Sequence, residues 1–313
     1  MIERRMVGLG LGAVTLLDAV ETACDGQRTV TLFFAAGSDL GAVSVADSRV
    51  EAERSVGGAL CITYAVPGSG PVAVTVAGLA VDIVPAQAET ELFEGKNTIA
   101  AVRNGEDADT VAVWLRHHLK TQGLQGAVIV DRAQPGTDAA FSQDLTRAIA
   151  DLPADITVVL LTSDLPLGKA DTPAEAHPYT VPEAPGKDRM EIPDPSPWDA
   201  PLGAMSLYEC LRTRFLAEAR AVANLDVHDL VPAGASNIFD SAVAAEGGVI
   251  ALIGRHCYPW RVRKDQPTLF ADHICVQFDA NSGRQRWCIA PAKAPEAAIW
   301  RLIRIGNAVP DRT

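Results

Sequence analysis

The sequence has no Cys-x-x-Cys pair, no apolar run long enough to cross a bilayer, and too few basic residues to balance its acids. Its six cysteines, at 24, 61, 210, 257, 275 and 288, form neither a zinc frame nor the dense disulfide scaffold of a small secreted domain. Reduced, mostly buried thiols are expected, including Cys275 and Cys288, which a hairpin would set opposite each other. The 27 Lys and Arg stand against 39 Asp and Glu, a net charge of −12. Nucleic acids and anionic membranes require a basic footprint, so neither is an expected partner. A phosphate ligand needs only a local basic pocket and stays open. The apolar stretch 6–17 follows Glu3-Arg4-Arg5 but runs into Asp18 and Glu21 without a small-residue cleavage site. It reads as a folded strand rather than a signal peptide, and it is too short to span a membrane. A cytoplasmic protein without a transmembrane segment is the expectation.

What is present is a globular chain: 313 residues, 48% hydrophobic and 21% charged, enough for one large domain or two ordinary ones. Residues 1–94 carry short alternating runs at 29–34, 58–64, 71–76 and 79–84, separated by Gly and Pro. This predicts a small all-β, sandwich-like module. No cluster of titratable residues appears in it, so it reads as a structural or interaction module. From Lys96 the texture changes. Apolar strands at 97–102, 127–130 and 156–161 alternate with helices over 108–122 and 139–150, which predicts an α/β domain with a parallel, doubly wound sheet. Ligands bind such sheets beyond the carboxyl ends of the strands. Arg103, Asn104, Glu106, Asp131 and Arg132 lie there. Residues 165–203 hold nine prolines and read either as a lid or acceptor-binding loop or as a floppy excursion, with Trp198 able to stack on a sugar. A helix over 205–221 carries Arg212, Arg214 and Arg220, either solvated or gripping a diphosphate.

The most informative stretch is Ala223-Asn224-Leu225-Asp226-Val227-His228-Asp229. It reads as a strand that delivers Asp226, His228 and Asp229 at its end. Alternation puts Asp226 and His228 on one face, with Val227 packed behind. A carboxylate and an imidazole so placed suit Mn²⁺ or Mg²⁺ carrying a phosphate oxygen. The plainer alternative is a loop-start acid beside a solvated histidine. Further on, the pattern predicts a helix over 236–245, a strand over 249–254, and a hairpin joining 272–278 to 285–289 through Asn281-Ser282-Gly283. A short apolar segment closes the chain around 300–305.

Four elements in order carry a resemblance: Asn104-Gly105-Glu106 with Trp114 and His118 behind it; Asp131-Arg132 followed by Gln134, Thr137 and Asp138; Asp226-Val227-His228-Asp229 after a basic helix; and Arg286 ahead of an apolar step to Pro291. From Asn97 to about Ile305 the chain resembles glycosyltransferases of the GT-A fold, the family-92-like and family-2-like bacterial enzymes of polysaccharide biosynthesis. The resemblance implies a Rossmann-like nucleotide-sugar domain over 95–313, preceded by the β module. It implies transfer of a sugar from a nucleotide-diphosphate donor to a saccharide or other acceptor hydroxyl. Mn²⁺ or Mg²⁺ would sit on Asp226, His228, Asp229 and His273. Arg103, Asn104, Glu106, Asp131 and Arg132 would bind the donor, and Asp272 would take the acceptor proton, with Asp240 and Glu246 as alternatives. Three departures stand out: His228 replaces the central Asp of an Asp-x-Asp motif; Arg132 replaces an Asn, to pair either with a donor phosphate or with Asp138; and no histidine follows His273, so either His256 or His273 substitutes or the site binds metal weakly. Two other classes remain open. One is a catalytically degenerate, GT-A-like carbohydrate- or partner-binding protein. The other is a metal-dependent phosphohydrolase, which needs a two-metal clamp where only one candidate cluster is visible.

Overall fold

The computed structural model describes residues 1–24, 26–76, 78–177, 180, 189–260, 269–276 and 285–312. Its central element is a mixed eight-stranded sheet. In spatial order the strands are Ile2–Arg5, Thr157–Thr162, Gly126–Asp131, Asn97–Arg103, Ala221–Asn224, Gln285–Ile289, Val249–Ile253 and Asp311–Arg312. The first five run parallel. Gln285–Ile289 is antiparallel to both of its neighbours, and Asp311–Arg312 is parallel to Val249–Ile253. Counted from Asn97, the order is 3-2-1-4-6-5-7.

The continuous apolar strands are buried on both faces, as parallel strands must be. Alternate residues serve different cores. Ile99, Ala101, Ala127, Ile129 and Leu160 pack against Ala108–Gln122, Phe141–Ala148 and Ile238–Ala244. Ala100, Val102, Val128, Val130 and Leu161 face Leu207, Leu211 and Phe215, together with Val20, Phe33 and Cys61 of the β module. The module is therefore the second cover of the large sheet. Helix Ala108–Gln122 begins at Asp107, whose carboxylate accepts from Thr110 N at 2.7 Å, and ends at Gly123 in the left-handed region with φ 65°, a position glycine takes without strain.

The β module is a sandwich. Val14–Cys24, Gln27–Phe34, Ala59–Ala65 and Arg49–Val56 form consecutive strands of one sheet, with Ala86–Gln87 at its edge and Leu9–Leu11 beside it. Val43–Val45, Val72–Val76 and Leu79–Ile83 form the other sheet. Leu32, Phe34, Ile62 and Tyr64 meet Val72, Val74, Val76 and Ile83 between them.

Several expectations change. Ile2–Arg5 belongs to the large sheet, not to the β module. The basic helix is only Leu207–Leu211 followed by a π-turn over Arg212–Leu216. His273–Val276 does not pair with Gln285–Ile289. It pairs with Cys257–Pro259 in a separate ribbon, while Gln285–Ile289 is drawn into the large sheet by its buried Trp287, Cys288 and Ile289. Cys275 and Cys288 therefore do not face each other; the proposed turn at Asn281-Ser282-Gly283 lies outside the described residues. No described helix is long and apolar enough to cross a membrane.

Candidate functional site

Connections leave the large sheet in opposite directions from Asn97–Arg103 and Ala221–Asn224, and open α/β sheets bind ligands beyond the carboxyl ends of the strands at such a point; the region between these two strand ends is the candidate crevice. Each wall grows from a strand end. Ala221–Asn224 stops at Asn224, and Asp226–Asp229 form a turn rather than a strand continuation. Asp226 N donates to Asp229 Oδ2 at 2.8 Å, which is the local reason the strand ends: a short acid captures the backbone. Val227 is fully buried beneath the turn. Helix Ala108–Gln122 holds it from behind. Trp114 Nε1 donates to Asp229 O at 2.9 Å, and Val231 N donates to His118 Nε2 at 3.3 Å. His118 Nδ1 then donates to Trp114 O at 3.0 Å, which defines one neutral tautomer. Burial lowers the His118 pKa to about 4, in keeping with a nitrogen that must stay an acceptor.

On the facing strand end, Gly105 adopts φ 92° and folds Glu106 back so that its Oε2 accepts from Asn104 N at 2.6 Å. Glu106 Oε1 lies 3.0 Å from His228 Nε2, which joins the two strand ends across the crevice. Burial favours the protonated Glu106, but bonds from His228 and from backbone N–H groups outweigh it and hold its pKa below the usual value. The bond to Glu106 raises the His228 pKa against burial, with Asp226 and Asp229 adding to it.

From the antiparallel strand, Arg286 reaches both aspartates. Its Nε donates to Asp229 Oδ2 at 2.6 Å and its Nη2 to Asp226 Oδ2. Desolvation works against its charge, yet the two carboxylates raise its pKa. Arg286 is the principal site residue that the sequence reading left without a role. Its signal is an arginine within a strand of otherwise buried Trp287, Cys288 and Ile289.

Arg103 is buried. It pairs with Asp131 at 2.9 Å and Asp138 at 2.5 Å, donates to Glu106 O at 2.6 Å and stacks on Phe141. Asp131 Oδ1 also accepts from Ala133 N, so Arg103 and Asp131 brace the crevice floor. Asp138 thus serves Arg103 and not Arg132. Arg132 is 3% exposed. Its Nη2 donates to Trp198 O and Ala200 O, and its Nε has no hydrogen-bond partner among the described residues. The proline-rich segment is folded around it: a Cβ on Gly168 would lie 2.8 Å from Arg132 Nη2. Burial lowers the Arg132 pKa, opposed by Glu175, Asp199, Asp226 and Glu106. Glu175 also meets Asn104 Nδ2 at 3.4 Å, so this segment lies along the crevice.

Phe270 lies 6.3 Å from the His228 ring and brings the neighbouring Asp272 turn to the crevice. Asp272 is buried, and its Oδ2 accepts from Leu269 N at 2.9 Å. His273 Nδ1 lies 3.0 Å from Cys257 O. The other candidates are elsewhere. Arg220 pairs with Asp240 beside Asn97, and Glu246 precedes Val249, so all three are at the amino ends of the strands. Arg214 pairs with Asp18 and Arg212 donates to Ala298 O, so the three helix arginines bond groups outside the crevice.

Carboxylates and imidazoles are suitable chemistry for Mn²⁺ or Mg²⁺, but the arrangement engages them otherwise: Arg286 clamps Asp226 and Asp229, His228 bonds Glu106, and His273 bonds Cys257 O. A divalent ion there would have to displace the guanidinium. No protein-family model matches this chain, and no curated protein matches it.

Proposed function

We propose that the chain is a GT-A-like glycosyltransferase, moving a sugar from a nucleotide-diphosphate donor to the hydroxyl of a saccharide acceptor. The observation that carries this reading is the position of the Asp226–Asp229 turn. It leaves its strand at the point where strand order reverses, the place where open α/β sheets hold nucleotides, and it is tied there to Glu106 and Arg286. The step from a nucleotide site to sugar transfer rests on the resemblance of the motifs, a fold-level analogy.

In this reading the donor's bond from sugar carbon to diphosphate oxygen breaks as the acceptor oxygen bonds to the same carbon. Negative charge grows on the departing diphosphate. Arg286, Arg132 and a protonated His228 are the cations that would face it, pre-oriented by their hydrogen bonds rather than recruited at the moment of reaction. Arg132 has its buried Nε still to be paired, which suits an anionic oxygen. Asn104 and Glu106 line the nucleotide side. Asp272 takes the proton released by the acceptor hydroxyl; at 5% exposure its turn must open to meet an acceptor. A metal enters this scheme as a competitor of Arg286 for the two aspartates.

Calorimetric titration with UDP, GDP and CMP, each with and without Mn²⁺, tests the proposal. Binding of one nucleotide that is lost in Asp226→Ala supports it. Should no nucleotide bind under any condition, the reading fails, and the degenerate binding protein becomes the better account.

A further inference from the structure

A second concavity lies at the other end of the large sheet, where the parallel strands begin. It has a volume of about 610 Å³, within the range of ligand sites, and runs between the β module and the Leu207–Leu216 segment. Its near wall is the module's own sheet. Along that sheet face, the strip carrying Val20, Phe33 and Cys61 is apolar and belongs to the core shared with the large sheet. The strip that continues past it is hydroxylic: Thr22, Thr31 and Thr63 line the cleft. Thr31 and Thr63 are cross-strand partners, with their Oγ1 atoms 2.9 Å apart. A bond between two hydroxyls uses one O–H and leaves the other, with several lone pairs, to meet a ligand. β-branching fixes these hydroxyls with few rotamers, so little order has to be imposed on binding.

The far wall is polar too. The π-turn Arg212–Leu216 is an interruption of a kind frequent at functional sites. It directs Arg212 and Thr213 to the cleft while Phe215 and Leu216 enter the core. The charges lining the cleft are largely matched. Arg54 and Arg212 flank Glu209 at 3.3 and 3.6 Å, and both donate to Ala298 O. Glu21 is paired with Arg28 at 2.7 Å. A free anion therefore finds no uncommitted cation among these groups. An apolar ligand finds little to contact, since Phe33, the one aromatic residue among the described residues of the lining, is 1% exposed. What remains available is the Thr31–Thr63 pair, with Thr63 the less buried of the two, and the lone pairs of Thr22 and Thr213, whose hydroxyls bond Thr29 Oγ1 and Glu209 O, beside the ion pairs.

We infer that this cleft is a binding site for a neutral oligosaccharide, separate from the crevice at the strands' carboxyl ends. The inference does not depend on the transferase reading, because none of the crevice residues contributes to it. Titration calorimetry and saturation-transfer NMR with maltotriose, cellotriose and chitotriose test it on the full chain. At least one of them binds, and the Thr31→Val/Thr63→Val double variant weakens that binding at least ten-fold at an unchanged melting temperature. The Thr31→Ser/Thr63→Ser variant, which keeps both hydroxyls, and Asp226→Ala, which alters only the crevice, both retain it. Three results overturn the inference: no binding of any of the three sugars, binding that survives loss of both hydroxyls, or binding that disappears in Asp226→Ala.

Discussion

Two arginines of this molecule meet aspartate in different surroundings. Arg214 meets Asp18 at 2.9 Å where the β module joins the large sheet, with side chains 4% and 0% exposed. Arg286 meets Asp226 and Asp229 in the crevice, where it is 10% exposed and the aspartates 33% and 36%. Asp18 is fully provided for, since Val7 N, Ala19 N and Cys210 Sγ also donate to it. The crevice aspartates each keep a side open to water. The same pair chemistry thus makes a fixed joint in one place and an exchangeable clamp in the other. A dry pair loses heavily when one partner goes, because the other charge is stranded. A half-open pair loses little, because water or a ligand replaces the missing group.

Breaking the joint gives the largest expected effect. Asp18→Ala should destabilise the protein by about 3–5 kcal/mol, measured by urea unfolding; a loss below about 1 kcal/mol would erase the difference between fixed joint and exchangeable clamp. The next largest concerns the rear support of the clamp. His118 is neutral in the fold, with a pKa lowered from 6.5 to about 4. Below pH 6.5 the unfolded chain takes up a proton that the folded chain refuses until about pH 4. Stability therefore falls as pH drops through that window, by about 3 kcal/mol in all. His118→Gln should flatten this slope in unfolding curves taken at several pH values, and an unchanged slope would place the acid sensitivity elsewhere. The smallest effect on stability is expected at the clamp itself. Arg286→Met should shift unfolding by about 1 kcal/mol or less while weakening nucleotide binding at least ten-fold in the same calorimetric assay. A variant that binds nucleotide as wild type does, but only with Mn²⁺ present, would show a metal taking the guanidinium's place.

Much of the large sheet is legible in the sequence because each of its central strands is a continuous apolar run followed by a helix of 3.6-residue period. The residues at those strand ends are legible for the same reason: topology carries them to one side. Their partners are not. Arg286 lies 57 and 60 residues from the aspartates it clamps, and no local pattern reports a contact at that range. His273–Val276 illustrates a second limit. Its alternation is satisfied equally by Gln285–Ile289 or by Cys257–Pro259, and only burial of Trp287 and Cys288 in the large sheet decides between them. The helix arginines mislead for a third reason. A π-turn adds a residue to the local repeat, so the face each arginine takes cannot be read from a 3.6-residue wheel.

Ile2 faces Val159 in the parallel pairing of the first strand, and everything from Met6 to the start of Asn97–Arg103 intervenes before the large sheet resumes. In topological terms the sandwich is an insertion within the large domain rather than an appendage ahead of it. During synthesis the sandwich can close on itself while the strand that precedes it still waits for a partner far downstream. A cut made near residue 95 would not separate two finished domains. It would remove the outermost strand of the sheet and leave Thr157–Thr162 as a bare edge, open to pairing with another chain.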